Sequence, residues 1–210
     1  LRWPVAVVLA VCAAYGLHKH VFSRSTYEPP SAAAPAAPEL FVTAVPLQES
    51  LPAMPAVLHK DGYRITPLAS FNLTARVLSH KTYCCSAQDR LAPVDIAFGW
   101  GRMTNDMVLA SLEISQGSRW YHFRYRDAPP IPQREIEVSS ANMHLIPSSP
   151  AIEDTLRGVR AGQTVTLAGF LVRAEKDNWR WQSSLTREDT GDGACEIIWV
   201  TGVRVHGARG

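Results

Sequence analysis

The segment QTVTLAGFLVRAEKDNWRWQSSLT, residues 163–186, decides the fold. Two runs of strand-forming residues, QTVTLAGFLVRAE and NWRWQSSLT, flank Lys176, Asp177 and Asn178, a trio suited to a tight hairpin connection. In NWRWQ, Trp179 and Trp181 share one face and Arg180 takes the other, as a half-buried strand requires. The polar turn REDTGDGA, 187–194, then leads into a closing strand, CEIIWVTGVRV.

Working outward from this hairpin, similar patterns fill the preceding hundred or so residues. FNLTARVLS, 71–79, alternates Phe71, Leu73, Ala75 and Val77 against polar neighbours, and VDIAFGWG, 94–101, is a second apolar run closed by glycines. Thr104 or Asn105 caps a short helix with Val108, Leu109 and Leu112 inward. GSRWYHFRYRDAPP, 117–130, reads as a barrel strand with Tyr121, Phe123 and Tyr125 on one face. Trp120, His122, Arg124 and Arg126 lie on the other. REIEVSS, 134–140, alternates as a further strand. SSPAIEDTLRG, 148–158, is a helix with Ser149 as cap, Pro150 in its first turn and Gly158 at its exit. The expected fold is α+β, mainly β: a small barrel-like antiparallel domain over 61–206 with two short helices.

The two leading segments differ from this body. From Trp3 to Leu17 the chain is apolar and uncharged, bounded by Arg2 and by His18, Lys19 and His20. A spanning helix needs about 20 residues, and Trp3 with the basic flanks can sit at the interfaces. Residues 1–21 are therefore expected to be an N-terminal transmembrane helix or a cleaved signal. A lipoprotein signal at LAVC is disfavoured by Val11 before Cys12. Residues 22–60 hold seven prolines between Pro29 and Pro55 with much alanine, a composition that favours extended polyproline II geometry and reads as a linker.

Few residues suggest chemistry. No phosphate loop, nucleophile elbow, HExxH or CxxC motif is present, so no catalytic residue, metal ligand or cofactor is assigned. His122 and His144 could meet in space with a carboxylate such as Asp95 or Asp106, but structural histidines are far commoner. Glu188, Asp189, Asp192 and Glu196 lack the alternating spacing of an EF-hand loop. Outside the cytoplasm, Cys84 or Cys85 bonded to Cys195 is the natural disulfide; the alternative is three free thiols. Trp120, His122, Arg124, Arg126 and Arg180 form a candidate partner surface. A net charge of +2 argues against nucleic acid as the partner.

The blocks FNLTARVLS, PVDIAFGWGRM, ISQGSRWYHFRYR, SANMHLIPS and SSLTREDTGDGACEIIWV resemble those of a family of bacterial membrane-anchored proteins. The resemblance spans roughly residues 70–200 and implies a bacterial origin and a recurrent domain; it carries no activity, cofactor or site residue. VTLAGFLV, 165–172, also resembles a strand of oligonucleotide/oligosaccharide-binding barrels. The resulting expectation is a non-enzymatic accessory or binding protein of the cell envelope, anchored in the bacterial inner membrane with its domain in the periplasm. It would bind a protein of an envelope assembly or a glycan, and its small-molecule ligand is left unspecified. The alternatives are an envelope hydrolase using His122 or His144, and a single-stranded nucleic-acid-binding barrel.

Overall fold

The computed structural model describes residues 45–53, 56–186, 189 and 195–206. The apolar run at 3–17 and most of the proline-rich segment lie outside them. Among the described residues, no helix is long and apolar enough to cross a membrane.

The domain is mainly β. Its strands are β1 (Leu47–Ser50), β2 (Leu58–Lys60), β3 (Tyr63–Thr82), β4 (Val94–Gly99), β5 (Glu113–Gly117), β6 (Trp120–Arg124), β7 (Ser140–Pro147), β8 (Thr164–Lys176), β9 (Trp179–Gln182) and β10 (Glu196–His206). Four short helices accompany them: α1 (Ala87–Leu91), α2 (Asp106–Ala110), α3 (Gln133–Val138) and α4 (Pro150–Gly158).

Eight strands form one mixed, partly ring-like sheet, and β5 and β6 form a separate ribbon. Going round the ring, β3, β4, β7, β10 and β8 pair in succession, and β8 pairs back to β3. At the point of closure, Arg76 has a partner on each edge, Gly99 on β4 and Thr164 on β8. The length of β3 makes this possible, and its ladders shift register between Pro67 and Ala69 and between Val77 and Ser79. Such bulges bend a strand, and Pro67, with no N–H to donate, fits beside one.

Alternation then sorts the side chains. Phe71, Leu73, Ala75 and Val77 of β3 join Ile96, Phe98, Met143, Leu145, Val165, Leu167, Ile198 and Val200 in one buried cluster. Leu156 of α4 and Val159 just beyond it belong to the same cluster, with Ile152 packed against it. Residues of opposite parity on the same strands face the other way. Ile146, Val172, Ala174, Ile197 and Trp199 build a second cluster, completed by Leu58, Tyr63, Leu91 and Ala92. A third, around Met103, Leu112, Ile131 and Ile136, holds the insertion between β4 and β7 together.

Several sequence expectations need correction. The ring is not wholly antiparallel, because β7 and β10 run parallel; alternation along a strand carries no signal of its direction. Among the described residues the α-helices number four, not two. REIEVSS begins within α3: Gln133, Arg134, Glu135 and Glu137 are good helix formers, Gln133 and Arg134 reach Glu137 across one turn, and Ile136 is buried on a helical face. The aromatic stretch is the ribbon strand β6, paired with β5 alone, and not a strand of the ring. The sheet also extends into the segment read as linker, since β1 pairs with β3 at Asn72–Ala69 and β2 with β3 at Ile65–Tyr63.

Gly169 sits where β8 meets both β3 and β10, opposite Phe71 and Val200. A Cβ there would collide with the backbone carbonyl oxygen of Trp199. Gly169→Ala is therefore expected to cost about 3 kcal/mol or more in urea unfolding, because backbone cannot swing aside as a side-chain tip can. Gly117→Ala, which meets only open space, should stay within about 0.5 kcal/mol of the parent.

Candidate functional site

On the outward side of the ring, β4 and β7 pair Asp95 directly with His144, and β10 sets Ile197 beside His144 on its other edge. Asp95 and His144 are 0 % and 2 % exposed. An ionised carboxylate this deep needs a compensating charge. It comes from the β5–β6 hairpin.

That hairpin turns through Ser118 and Arg119, whose φ angles are +50° and +66°. A two-residue loop with both residues left-handed has the twist that matches flanking strands, though Asn-Gly is the usual sequence. Holding arginine there costs energy, and surrounding contacts offset it. The Arg119 N–H donates to Tyr83 Oη (3.2 Å), and Asn142 Nδ2 of β7 donates to the Arg119 carbonyl (2.9 Å). Gln116 Nε2 in turn donates to Asn142 Oδ1 at 2.6 Å.

So fixed, the Arg119 guanidinium points inward. Nη1 donates to Asp95 Oδ1 (2.9 Å); Nη2 donates to Asp89 Oδ1 (2.7 Å) and to the Ala92 carbonyl (3.0 Å). Its carbon lies 4.2 Å from the centre of the Tyr83 ring and 5.6 Å from that of Trp181. Burial, and then the nearby Asp95 carboxylate, push the Tyr83 phenol up.

Asp89 belongs to α1, which Ser86 and Asp89 close with a capping box. Asp89 Oδ2 accepts the N–H groups of Ser86 (2.8 Å) and Cys85 (3.1 Å). The Ser86 amide above all, with Arg119 and the Cys85 amide, holds the Asp89 carboxyl down to about 2 against a smaller opposing effect of burial.

His144 Nδ1 lies 2.9 Å from Asp95 Oδ1, yet neither His144 Nδ1 nor Asp95 Oδ2 has a hydrogen-bond partner among the described residues. Trp181 of β9 covers the imidazole, with ring centres 4.7 Å apart, and Trp179 and Tyr63 extend the aromatic row. Beside His144 opens a cavity of about 240 Å³ lined by Gln88, Arg119, Trp120, His144, Trp181, Gln182 and Cys195. It combines two indole faces, two amides, an imidazole and a guanidinium already shared between two carboxylates. Such a surface can stack against a ring and hydrogen-bond to hydroxyls.

Of the residues named from sequence, Trp120 and Cys195 border this cavity and His144 forms part of its wall, with Asp95 behind it. His122, Arg124 and Arg126 are on the exposed side of β6 and just beyond, and Arg180 is exposed on β9. His122 does not join His144: it pairs across the ribbon with Ser115. Asp106 pairs with Arg76 instead. Cys84 and Cys85 are free thiols close to each other, and neither lines the cavity whose wall holds Cys195. Asp189 accepts from Ser184 Oγ at 2.5 Å, Glu196 is buried in β10, and Glu188 and Asp192 lie outside the described residues. Among the described residues, no group of three or more His, Cys, Asp or Glu could hold a metal ion. Gln88 and Arg119 of the cavity, and Asp89 behind Arg119, were not singled out from sequence, and Trp181 was read there as an aromatic of a half-buried strand. The available signal was a two-residue turn, GSRW, without glycine at either centre.

Because the Asp89 carboxyl titrates lower in the folded chain than in the unfolded one, its contribution is present above about pH 4 and fades as pH falls towards 2. Asp89→Asn should lower unfolding free energy by about 1 kcal/mol at pH 6, solvent screening at this partly exposed carboxylate reducing what the shift alone would give. The gap between parent and variant should close progressively below pH 4 in denaturant titrations.

No family model, no curated protein and no solved structure matches this chain.

Proposed function

We propose that the domain is the ligand-binding module of a non-enzymatic accessory protein of the bacterial cell envelope. The apolar run at 3–17 supports attachment to the inner membrane with the domain in the periplasm. We read the ring as a five-stranded barrel of the oligonucleotide/oligosaccharide-binding type. Taken in chain order, β3, β4, β7, β8 and β10 are its first to fifth strands, and the ladders run first, second, third, fifth, fourth and back to first. The parallel pair is the third with the fifth.

One observation carries the reading: the position of the cavity. Barrels of this type bind ligands on the face of strands two and three, between the loop joining strands one and two and the loop joining four and five. Here His144 comes from strand three and Gln88 from the first of those loops; Trp181, Gln182 and Cys195 come from the second. Arg119 and Trp120 arrive from the insertion between strands two and three.

Charge then selects the ligand class. A single-strand site needs a positively charged groove beside its aromatic platforms. Among the described residues, the one guanidinium in this cavity faces two carboxylates, so a phosphate gains little from it, whereas a neutral polyhydroxylated ring can stack on an indole and hydrogen-bond to Gln88 and Gln182. The ligand is accordingly a neutral glycan. The exposed face of β6, with His122, Arg124 and Arg126, supports a separate contact with a protein partner.

The contact of Asp95 with His144 supports a second reading, a hydrolase in which His144 is the base; His144→Ala would then abolish turnover of a glycan substrate that the parent cleaves.

Titration calorimetry of the full chain against neutral glycan fragments should show saturable binding that changes little between 50 and 200 mM salt. Trp120→Ala, at the cavity rim, should weaken it about tenfold, ~1.4 kcal/mol. Binding of single-stranded oligonucleotides that falls steeply with salt, with none of glycan, would overturn the assignment.

A further inference from the structure

Cys84 and Cys85 follow β3 and immediately precede Ser86, the cap of α1. Both are exposed, and their sulfurs face each other at 2.8 Å. Cys195, the partner expected from sequence, lies instead in the wall of the cavity. We propose that Cys84 and Cys85 form a redox-active vicinal dithiol that closes to a disulfide between neighbours and reopens, exchanging an electron pair with small-molecule disulfides.

The exchange balances in two displacements. The thiolate of one cysteine attacks a sulfur of the small disulfide, forming a mixed disulfide and releasing one thiolate, which takes up the first cysteine's proton. The second cysteine, as thiolate, then attacks the protein-side sulfur of the mixed disulfide and expels the other small thiol, which carries away the second proton. The protein loses two hydrogens and the small disulfide becomes two thiols. Proximity favours the second step, because the attacking sulfur is already in contact with the sulfur under attack. Cys84, by hydrogen bonding, pushes the Cys85 thiol up, so the pair does not carry two negative charges together.

Reopening follows from covalent geometry. Neighbouring Cα atoms across a trans peptide are about 3.8 Å apart, whereas disulfides usually bridge about 4.4–6.8 Å. A bond between neighbours is strained, and strained, exposed disulfides are the readily reduced ones. The site also touches the cavity. The Cys85 N–H is held by Asp89, whose other oxygen binds Arg119, so twisting the Cys84–Cys85 peptide on ring closure acts on the same carboxylate.

The test uses the full chain, equilibrated with glutathione disulfide, trapped with N-ethylmaleimide, digested with trypsin and read by mass spectrometry. Both cysteines fall in one tryptic peptide, 82–90, that holds no other thiol. The expected product of oxidation is this peptide unalkylated and two hydrogens lighter, returning to the doubly alkylated form after dithiothreitol. Cys84→Ser should instead leave Cys85 as a glutathione adduct, since nothing adjacent can displace it. The proposal is overturned if the parent peptide stays doubly alkylated, accumulates glutathione, or emerges joined to the peptide containing Cys195.

Discussion

A guanidinium held between two carboxylates organises the candidate site. Asp95 points away from the apolar interior of the ring, yet it is fully covered. A carboxylate in that position is tolerable only if a cation reaches it. Arg119 does so from a different part of the chain, and in doing so it fastens three segments to each other. Asp89 brings the β3–β4 connection, Asp95 brings β4, and the turn itself brings the β5–β6 ribbon. Asn142 adds β7 through the carbonyl of the same arginine. The cavity is what remains between these fixed parts and Trp181.

The ring supplies the rigid base that such an arrangement needs. Its interior is filled by one face of five strands and by α4, which leaves the opposite face of β4, β7 and β10 to be covered by something else. Over Ile146, Ile197 and Trp199 the cover is apolar. Nearer Asn142 and Asp95 it is polar, and there the covering elements leave an opening. The site is thus placed by strand register, which cannot slip without moving every buried residue to the wrong face. A ligand seated there would meet side chains already held in position, which lowers the cost of binding.

How much of this was legible in the sequence depended on how local each signal is. The β8–β9 hairpin and α4 with Ser149 and Pro150 are encoded within a few residues, and the structure has them where the sequence places them; α2 starts behind Asn105 as expected but ends at Ala110, before Leu112, and Glu113–Gly117 is strand β5. The order of strands round the ring was not legible, because it rests on pairings such as Arg64 with Glu175, far apart in the chain. In α3, Ile136 and Val138 stand two apart and suit a strand face as well as a helix, so alternation misled; Pro132 and the flanking glutamates decided otherwise. The sequence offered Asp95 only as one of two carboxylates that could join a meeting of His122 and His144; register brings Asp95 to His144 and leaves His122 on the ribbon. Arg119 looked like one arginine among three in a basic stretch. What sends it inward is the hand of a turn, to which its side chain gives no clue.

A double-mutant cycle tests this account most directly. Arg119→Ala and Asp95→Ala, made singly and together, would be compared by urea unfolding. If the pair organises the site, each single change leaves a buried charge without its partner and costs about 3 kcal/mol. The double variant then loses far less than the sum, with a coupling of about 2 kcal/mol. Losses that simply add, to within about 0.5 kcal/mol, would contradict the account and leave the cavity without its organising interaction.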